Sequence, residues 1–350
     1  MIKFIISSLG IDNEHVAYIA YTGKAALVLK EKGCPNAMTA HKLLYRTFKK
    51  PDGTFAHVPR AEIGDYKIIV VDEVSMLPED MWLLLLSHKI HIIATGDPGQ
   101  LPPIGAAHNT LNFAHIFLDE IMRQAEESEI IRLSADVRAG RRIKPYKGSE
   151  INVVTKKDVI DGMYTWADQI ICGKNETRRS INNHYRSMKW EESESGLLLP
   201  KDGDKIICLD NNWDQVLEDG TVLVNGLLGE CSNINISGGP FGWECRLDFT
   251  PDSCIFDNSN DVKFSQLKVD YKMITQGEPT ITRENYRNFP SNYRLESFDY
   301  GYAITCHKSQ GSEYPKVLVF EEVLRANQHK EWLYTAVTRA SEKLTLVLKD

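Results

Sequence analysis

The sequence predicts an α/β protein, in which a mostly parallel sheet carries helices on both faces and a small β segment interrupts a second α/β domain. Three observations support this class. Short apolar runs alternate with helical segments over the first part of the chain, which favours a parallel sheet. Short β-like runs separated by Asn, Gly and Asp fill residues 203–288. Apolar strands and a helix return after residue 300.

Helices and strands are predicted in alternation before residue 100. Apolar residues at helical spacing predict the helices, two of which end at Gly10 and Gly33, and short apolar runs predict buried strands. The helices are predicted over residues 1–9, 25–32, 39–48 and 81–86, and the strands over residues 16–20, 68–71 and 90–94. Residues 49–63 contain Pro51 and Pro59 and are predicted to form a hairpin or loop.

The remaining predicted elements lie in the second half of the chain. The β-like runs are predicted over residues 205–209, 221–225 and 244–249. Residues 302–306 and 317–320 are predicted to be buried strands, and residues 331–340 a helix. Because α/β elements flank the β runs on both sides, we expect the β segment to be an insertion within the second α/β domain.

The composition indicates a globular protein and excludes several classes. With 350 residues, and about 100–200 residues per domain, two or three domains are expected. The net charge of −7 argues against a histone-like coat for DNA, although it allows a local basic groove. No apolar run reaches the roughly 18 residues of a membrane-spanning helix, so no membrane partner is expected.

The cysteines and the amino terminus favour a cytoplasmic protein. The seven cysteines are scattered, and no pair has the C-x-x-C spacing of a zinc or thioredoxin-type site. Asp12 and Glu14 follow the first apolar residues too soon for a signal peptide. Reduced thiols are therefore expected.

Two predicted strands end in polar motifs. Residues 68–71 run into Asp72 and Glu73, and residues 90–94 run into a loop that contains Gln100. Ligands of parallel sheets bind beyond the carboxyl ends of the strands. One carboxylate there can hold Mg²⁺ and another can polarise an attacking water, while a fixed glutamine can contact a γ-phosphate. For the acidic pair taken alone, the alternative is a solvated turn. For the loop of Gln100 taken alone, the alternative is a purely structural loop.

A series of segments resembles the motifs of superfamily 1 helicases, in the order in which those motifs occur. Residues 71–77 and 96–104 look like motifs II and III, especially those of the 5′-to-3′ branch typified by RecD and Dda. The other matching segments are residues 21–26 (motif Ia), 39–44 (the next motif), 121–124 (motif IV), 305–313 (motif V) and 334–340 (motif VI). The resemblance covers nearly the whole chain. It implies two RecA-like P-loop NTPase domains, with a small SH3-like β-barrel insert in the second.

The resemblance implies a nucleotide site that uses ATP and Mg²⁺. Asp72 would coordinate Mg²⁺ through water, Glu73 would activate the attacking water, and Gln100 would sense the γ-phosphate. Arg123 and Arg339 would act as arginine fingers that stabilise charge in the transition state. Taken singly, each arginine is more typical of a surface salt bridge, and its position in a matched motif reverses that interpretation. The motif V segment would add nucleotide contacts from Gly311 and Glu313.

The resemblance also implies a path for single-stranded DNA and for duplex/single-strand junctions. The residues in the matching motifs are Thr22, Lys24, Thr39, His41, Thr305 and His307. Hydroxyls, a cation and imidazoles suit phosphate contacts, so weak sequence preference and marked salt dependence are expected. Lys308 and Gln310 would couple the DNA and nucleotide sites. Replication or recombination proteins are possible partners.

The implied domains follow from the same resemblance. The first RecA-like domain spans residues 1–122, with a small insert at about 46–65. The second spans residues 123–202 and 291–350, and the SH3-like domain spans 203–290. Phe55 and His57 in the small insert are candidates for stacking on a base at a pin that splits the duplex; a plain surface hairpin is the alternative. The SH3-like insert would shape the DNA path or contact a partner, or its Asn and Gly residues simply form turns.

One expected motif is missing. No G-x-x-x-x-G-K-[ST] occurs in these residues, so the backbone N–H groups, Lys and hydroxyl of a Walker A loop are not supplied. The chain is expected to begin just after that motif, as a truncated product, as part of a split gene or as a natural remnant, and to hydrolyse little ATP alone. The rivals to a DNA helicase acting in replication, recombination or repair are a non-catalytic DNA-binding remnant, an RNA translocase and, less well supported, a P-loop phosphotransferase.

Overall fold

The structure, a computed structural model, describes most of the chain. The described residues are 2–49, 55–102, 114–117, 128–192, 199–218, 220–239, 242–252, 262–282, 284–290 and 293–349. The chain divides into two compact units. The first unit comprises residues 1–96, 103–111 and 200–299, and the second comprises residues 97–102, 112–199 and 300–350.

Both units contain helices and strands. The helices are α1 Ile2–Ser8, α2 Gly23–Glu31, α3 Ala40–Leu44, α4 Glu79–Ser87, α5 Glu129–Arg138, α6 Asp161–Trp166, α7 Asn175–Trp190, α8 Tyr271–Gln276, α9 Cys306–Ser309 and α10 His329–Val337. The strands are β1 Val16–Ala20, β2 Ala37–Thr39, β3 Tyr45–Lys49, β4 Phe55–Pro59, β5 Ile68–Val71, β6 His91–Ala94, β7 Tyr146–Lys147, β8 Ile151–Thr155, β9 Gln169–Cys172, β10 Lys205–Cys208, β11 Asn212–Val216, β12 Val222–Leu223, β13 Leu228–Gly239, β14 Gly242–Pro251, β15 Phe264–Val269, β16 Phe298–Tyr300, β17 Ala303–Thr305, β18 Tyr314–Phe320 and β19 Ala340–Leu348. No described helix is long and apolar enough to cross a membrane.

The first unit contains the predicted parallel sheet. Its strand order is β2-β1-β5-β6, and every neighbouring pair is parallel. The central strands β1 and β5 are buried along their whole length, as their uninterrupted apolar runs predict. The prediction of an α/β fold with strands at these positions is confirmed, although β6, which was predicted to be buried, has no buried residue. The register aligns Ala20 with Thr39 and Val71 with Ala94, so the strands end at one edge of the sheet.

The predicted helix over residues 39–48 is wrong in its second half. Helix α3 ends at Leu44, and the chain continues as β3, which pairs antiparallel with β4. The change of structure coincides with Tyr45, Thr47 and Phe48, whose aromatic and β-branched side chains favour strands. The hairpin predicted over residues 49–63 therefore exists, but it begins at Tyr45. The helix predicted over 331–340 also differs, since α10 ends at Val337 and Ala340 already opens β19.

The inserted β segment packs within the first unit. Its main sheet has the order β15-β14-β13-β10-β16, and β11 and β12 form a separate pair. Phe249 lies at the core of the main sheet. Its ring centroid is 5.0 Å from that of Phe298 and 6.1 Å from that of Phe264. The described strands form an open sheet, not a closed barrel. One isolated bridge, between Val269 and Glu296, connects the end of β15 to the chain just before β16.

A close contact joins this segment to the start of α2. A Cβ atom added to Gly23 would lie 2.6 Å from Val224 Cβ and 3.0 Å from Asn211 Oδ1. Only a residue without a side chain allows that approach. The insertion interrupts the second α/β domain in sequence, yet it packs with the first unit.

Replacing Gly23 by alanine is therefore expected to lower the free energy of unfolding by about 1–3 kcal/mol, because the new methyl group overpacks the contact. Gly162 provides a matched control, since a Cβ atom there meets nothing within 4 Å. Gly162→Ala in α6 should be neutral or slightly stabilising. Urea unfolding measures both variants. The cost of Gly23→Ala should shrink in a Val224→Gly background; an unchanged cost would contradict the contact.

The second unit contains a six-stranded sheet in the order β17-β9-β18-β19-β8-β7. Five strands are parallel, and only the edge strand β7 is antiparallel. Asn182 on α7 holds the sheet edge, since its amide donates to the carbonyls of Tyr300 and Ala303 and accepts from the Ala303 N–H at 2.8 Å. Trp332 on α10 is buried in the core against α5 and the sheet.

Candidate functional site

The acidic pair lies at the carboxyl end of β5. The Asp72 N–H donates to the Ile19 carbonyl, and the Thr95 hydroxyl donates to Asp72 Oδ1 at 3.0 Å. The Val74 N–H donates to the Thr95 carbonyl, so the ends of β5 and β6 are joined. These bonds hold a half-buried carboxylate in place. Mg²⁺ in phosphate-transferring sites is commonly held by one or two carboxylates together with water and phosphate, and Asp72 fits that requirement.

Glu73 has a strained backbone. Its φ is 49° and its ψ 47°, in the left-handed region that residues other than glycine seldom occupy. Such conformations cost about 1–3 kcal/mol and cluster at functional sites, where surrounding structure enforces them. Here the conformation directs the chain from β5 into the turn of residues 74–76.

The loop of residues 97–102 is bonded to two other matched motifs inside the second unit. The Leu101 N–H donates to Thr335 Oγ1 at 2.8 Å, and the Gln310 amide donates to the Leu101 carbonyl at 2.9 Å. The Tyr334 hydroxyl donates to Asp97 Oδ2 at 2.6 Å. Segments that are more than 200 residues apart in sequence therefore form one hydrogen-bonded group, which links the motif III, V and VI positions.

Tyr334 remains protonated in this group. Burial, together with the hydrogen bond and charge of Asp97, raises the pKa of Tyr334 to about 12. Arg138 lies 4.0 Å from Asp97 and 5.9 Å from the Tyr334 ring centroid. The phenol is thus a permanent donor to Asp97 near neutral pH.

Two predicted nucleotide residues in the second unit are buried. Gln100 is 7% exposed, and its Oε1 has no hydrogen-bond partner among the described residues. A buried acceptor of this kind calls for a polar partner such as water or a ligand. Arg339 is also 7% exposed, and its guanidinium donates to the carbonyls of Thr335 and Ser312 and to the Thr338 hydroxyl.

The motif V segment adjoins Arg339. Gly311 has a φ of +73°, and Glu313 is exposed immediately before β18. The Tyr314 N–H donates to the Arg339 carbonyl at 2.8 Å, which places the start of β18 beside the end of the motif VI segment. Asp72 and Glu73 belong to the first unit, whereas Gln100, Gly311, Glu313 and Arg339 belong to the second. Arg123, with the motif IV segment, lies outside the described residues.

The first four predicted DNA residues lie at one edge of the first sheet. Thr22 and Thr39 cap α2 and α3, since their hydroxyls accept from the N–H groups of Ala25 and Lys42, each at 3.2 Å. Thr39 ends β2, and Ala20 beside it ends β1. Lys24 and His41 follow in the first turns of the two helices. The two matched segments are thus neighbours, as parallel strands require.

An aromatic cluster surrounds His41. Its ring centroid lies 5.6 Å from that of Tyr45, 6.0 Å from His57 and 6.1 Å from Tyr21. Burial and then His57 lower the pKa of His41, while Asp80 acts in the opposite direction. The pattern of the sequence did not single out Tyr21 and Tyr45 as site residues, because only the β3–β4 hairpin brings these rings together. The side chain of Phe55 lies outside the described residues.

Thr305 and His307 lie at the carboxyl end of β17 in the second unit. Thr305 ends the strand and precedes α9, in which His307 is half-buried. Burial, with the charge of Arg325, lowers the pKa of His307. In both predicted imidazoles the lowered pKa favours the neutral ring, which can donate or accept a hydrogen bond.

The lowered pKa of His307 predicts a loss of stability in mild acid. An unfolded imidazole binds a proton near pH 6.5, whereas the folded one does so only at lower pH, so the unfolded state takes up more protons as the pH falls through that window. We expect the free energy of unfolding to decrease between pH 7.5 and 5.5. Urea titrations at several pH values should show a smaller decrease for His307→Gln. An identical pH dependence in the two proteins would contradict this assignment.

Comparisons with known proteins agree with the motif order. Residues 1–162 match a family model described as an AAA domain, and residues 300–347 match the UvrD-like helicase C-terminal domain. The chain is similar to the ATP-dependent RecD2 DNA helicase of Deinococcus radiodurans, with 25% identity over 97% of this chain and 43% of that protein. An uncharacterized protein of Methanocaldococcus jannaschii is 25% identical over 98% of this chain and 34% of its own length.

A solved structure has the same overall fold. The crystal structure of the Pif1 helicase from Candida albicans matches with a TM-score of 0.53 and 15% identity, covering 99% of this chain and 93% of that one. This likeness supports the RecA-like α/β fold. The chain spans less than half the length of the two curated relatives above. Motif order, the two family models and the RecD2 relative together support a superfamily 1 helicase of the RecD type, and the Candida albicans structure supports the same fold.

Proposed function

We propose that the chain is the motor part of an ATP-dependent DNA helicase or translocase. The observation that carries this proposal is the hydrogen-bonded group formed by Asp97, Leu101, Gln310, Tyr334 and Thr335. It ties the loop of Gln100 to the helix that leads into Arg339. A motor needs such a link, because a change at the γ-phosphate must reach the segments that hold the nucleic acid.

The proposed nucleotide chemistry uses residues from five of the matched segments. Asp72 would hold Mg²⁺, which neutralises phosphate charge when bound. Glu73 would accept a proton from the attacking water, and Gln100 would use its buried Oε1 to orient that water or contact the γ-phosphate. Arg339 and Arg123 would stabilise negative charge in the transition state, and the motif V segment would contact the nucleotide through Gly311 and Glu313.

The proposed DNA path follows the sheet edges. Thr22, Lys24, Thr39 and His41 would contact phosphates on the first unit, and Thr305 and His307 on the second. Contacts of this kind give little sequence preference and strong salt dependence. We propose movement in the 5′-to-3′ direction during replication, recombination or repair. We also propose that the enzyme has two RecA-like domains. Residues 1–122 would form the first, and residues 123–202 and 291–350 would form the second.

The two inserts have proposed roles on this path. Residues 203–290 would form an SH3-like domain; its small antiparallel sheet and the Val269–Glu296 bridge support this assignment. It would shape the DNA path, since it contacts the start of α2 beside Lys24. The hairpin of β3 and β4 would present a ring for stacking on a base, and His57 is the candidate whose ring is described.

A second function is favoured by one observation: these 350 residues contain no G-x-x-x-x-G-K-[ST]. A chain with all the later motifs and without the Walker A loop could act as a single-stranded-DNA-binding module. Because that loop supplies the main phosphate contacts, we expect this chain alone to turn over little ATP.

Two measurements on the same preparation separate these functions. Binding of a fluorescent oligothymidylate reports the DNA path, and ATP turnover with and without that oligonucleotide reports catalysis. DNA-stimulated turnover that disappears in Glu73→Gln would support the motor function and show that catalysis does not require a Walker A loop in this chain. Binding that weakens with salt but comes without turnover would support the binding module. An absence of DNA binding at low salt would refute both.

A further inference from the structure

A cavity of about 440 Å³ opens in the second unit, and no matched motif contributes its cationic lining. It lies where β8 and β19 end, at Thr155 and Leu348. Its walls come from the loop of residues 140–145 that follows α5 and from the first turn of α10. The cavity is therefore at the carboxyl edge of the parallel sheet, where α/β proteins usually bind ligands.

The rim of this cavity is strongly cationic. The cations that line it are Arg141, Arg142, Lys144, Lys330 and Lys349, and all of them are exposed. Arg141 pairs with Asp136 at 2.6 Å. The other four make no ion pair within the part of the chain that the structure describes. An acidic protein with a net charge of −7 thus concentrates unpaired positive charge in one place.

The one carboxylate on the rim is already engaged. Glu321 Oε1 lies 2.8 Å from His329 Nε2, and its Oε2 accepts from the Lys349 N–H at 2.8 Å. Its charge is therefore directed at the protein, and it leaves the lysine and arginine head groups available to an anion. Because α10 begins at His329, the N–H groups of its first turn add a partial positive charge on the same side.

The floor of the cavity is apolar. Val137 and Leu333 are buried, and Ile143 and Leu348 are partly buried against the same core. An apolar floor with a cationic rim suits a ligand that has both a planar apolar part and an anionic part. Volumes of about 300–1,000 Å³ are typical of small-ligand sites, and this cavity lies within that range.

The position of the cavity relates it to the predicted DNA residues of the same unit. Thr305 ends β17, and β17 and β19 are separated by two strands in the sheet. With about 4.8 Å between neighbouring strands, the ends of β17 and β19 are roughly 14 Å apart along one edge. The cavity is therefore distinct from the motif V segment and lies on the same side of the sheet.

We propose that this cavity binds a nucleoside phosphate, either as a free nucleotide or as one unit of a nucleic-acid strand. The base would lie on the floor of Val137, Leu333 and Leu348, and the phosphate would contact Arg142, Lys144 and Lys330. This assignment does not depend on the motor function proposed above, because none of these residues takes part in it. It predicts a site that discriminates a nucleotide from bare phosphate.

Protection of lysines from acetylation tests the proposal at the level of single residues. The intact chain is treated with an acetylating reagent, and modification at Lys144, Lys330 and Lys349 is followed by mass spectrometry. Separate arms contain thymidine monophosphate, a twelve-residue oligothymidylate at equal nucleotide concentration, or inorganic phosphate. Lys343 serves as the internal control; it is exposed on β19, about 20 Å from Lys349 by strand rise.

Protection of the three cavity lysines by the mononucleotide would support a free-nucleotide site, and protection by the oligonucleotide alone would support a unit of a strand. The double variant Arg142→Glu and Lys144→Glu should raise the ligand concentration that protects Lys330 by at least about tenfold, because glutamates repel the phosphate that the cations attract. Lys343→Glu should leave it unchanged, and circular dichroism should show both variants folded. Equal protection by inorganic phosphate, equal protection of Lys343, or no protection would overturn the proposal.

Discussion

Replacing Trp332 by alanine is expected to lower the free energy of unfolding by about 3–5 kcal/mol, the largest single effect that this structure predicts. The indole is 1% exposed and lies in the core between α5, α10 and the six-stranded sheet. It also stacks on the His329 ring, with 10° between the planes and 6.3 Å between the centroids. Alanine would leave a cavity that the surrounding parallel strands cannot close. Urea unfolding followed by circular dichroism measures the loss.

Two further variants test whether the loss comes from the packed volume at Trp332 and not from the removal of a tryptophan as such. The Trp332 Nε1–H is buried and has no acceptor among the described residues, so Trp332→Phe removes an unsatisfied donor while it keeps much of the volume. We expect it to cost no more than about 1.5 kcal/mol. Trp243 is 65% exposed, and Trp243→Ala should change stability by less than about 0.5 kcal/mol. A Trp332→Phe variant as unstable as the alanine variant would show that the indole N–H has a partner.

The second large effect is expected at Arg339. Its guanidinium donates to the Thr335 carbonyl at 3.0 Å, to the Ser312 carbonyl at 3.0 Å and to the Thr338 hydroxyl at 3.2 Å. Alanine would remove all three of these donors; the Thr335 carbonyl would still accept from the Thr338 hydroxyl at 3.1 Å, whereas an acceptor left buried and unsatisfied costs about 1–3 kcal/mol. Because the three bonds share one side chain, we expect a total loss of about 2–4 kcal/mol in the free energy of unfolding.

The control for Arg339 is Arg138, a second arginine of the same unit. Its side chain is 53% exposed, and its only described ion pair, with Asp97, spans 4.0 Å. Such surface pairs contribute about 1 kcal/mol or less, so Arg138→Ala should be nearly neutral. Equal losses at the two positions would refute the buried role of Arg339. Where DNA-stimulated turnover is found, Arg339→Ala should also lower kcat by about 10³ or more, as expected for an arginine finger.

Several elements were predictable because their signals are local. The runs at β1 and β5 are apolar throughout, a pattern typical of strands buried on both faces. The acids after β5 and the glutamine after β6 follow from strand ends, which a parallel sheet brings to one edge. The prediction of a helix over residues 39–48 was wrong in its second half. Residues 45–48 have strand-forming side chains, and pairing with β4 decides between the two structures.

Other features have no local signal. Gly23 is one glycine among 23, and only the structure shows Val224 packed on it. Tyr334 and Thr335 stand in a helical segment like many others, yet they hold Asp97 and Leu101 across more than 200 residues. The cations of the new cavity come from residues 141–144, 330 and 349, which no spacing rule connects.

The amino-acid order alone therefore predicted the α/β class, the family resemblance and the motif residues, because strand periodicity and motif spacing are properties of short segments. Long-range packing decided where the β insertion docks, how the motif III loop is bonded to α10, and where unpaired charge collects. The physical reason is that hydrogen bonds and apolar contacts act over a few ångströms, so they depend on which distant segments the fold brings together and not on their distance along the chain.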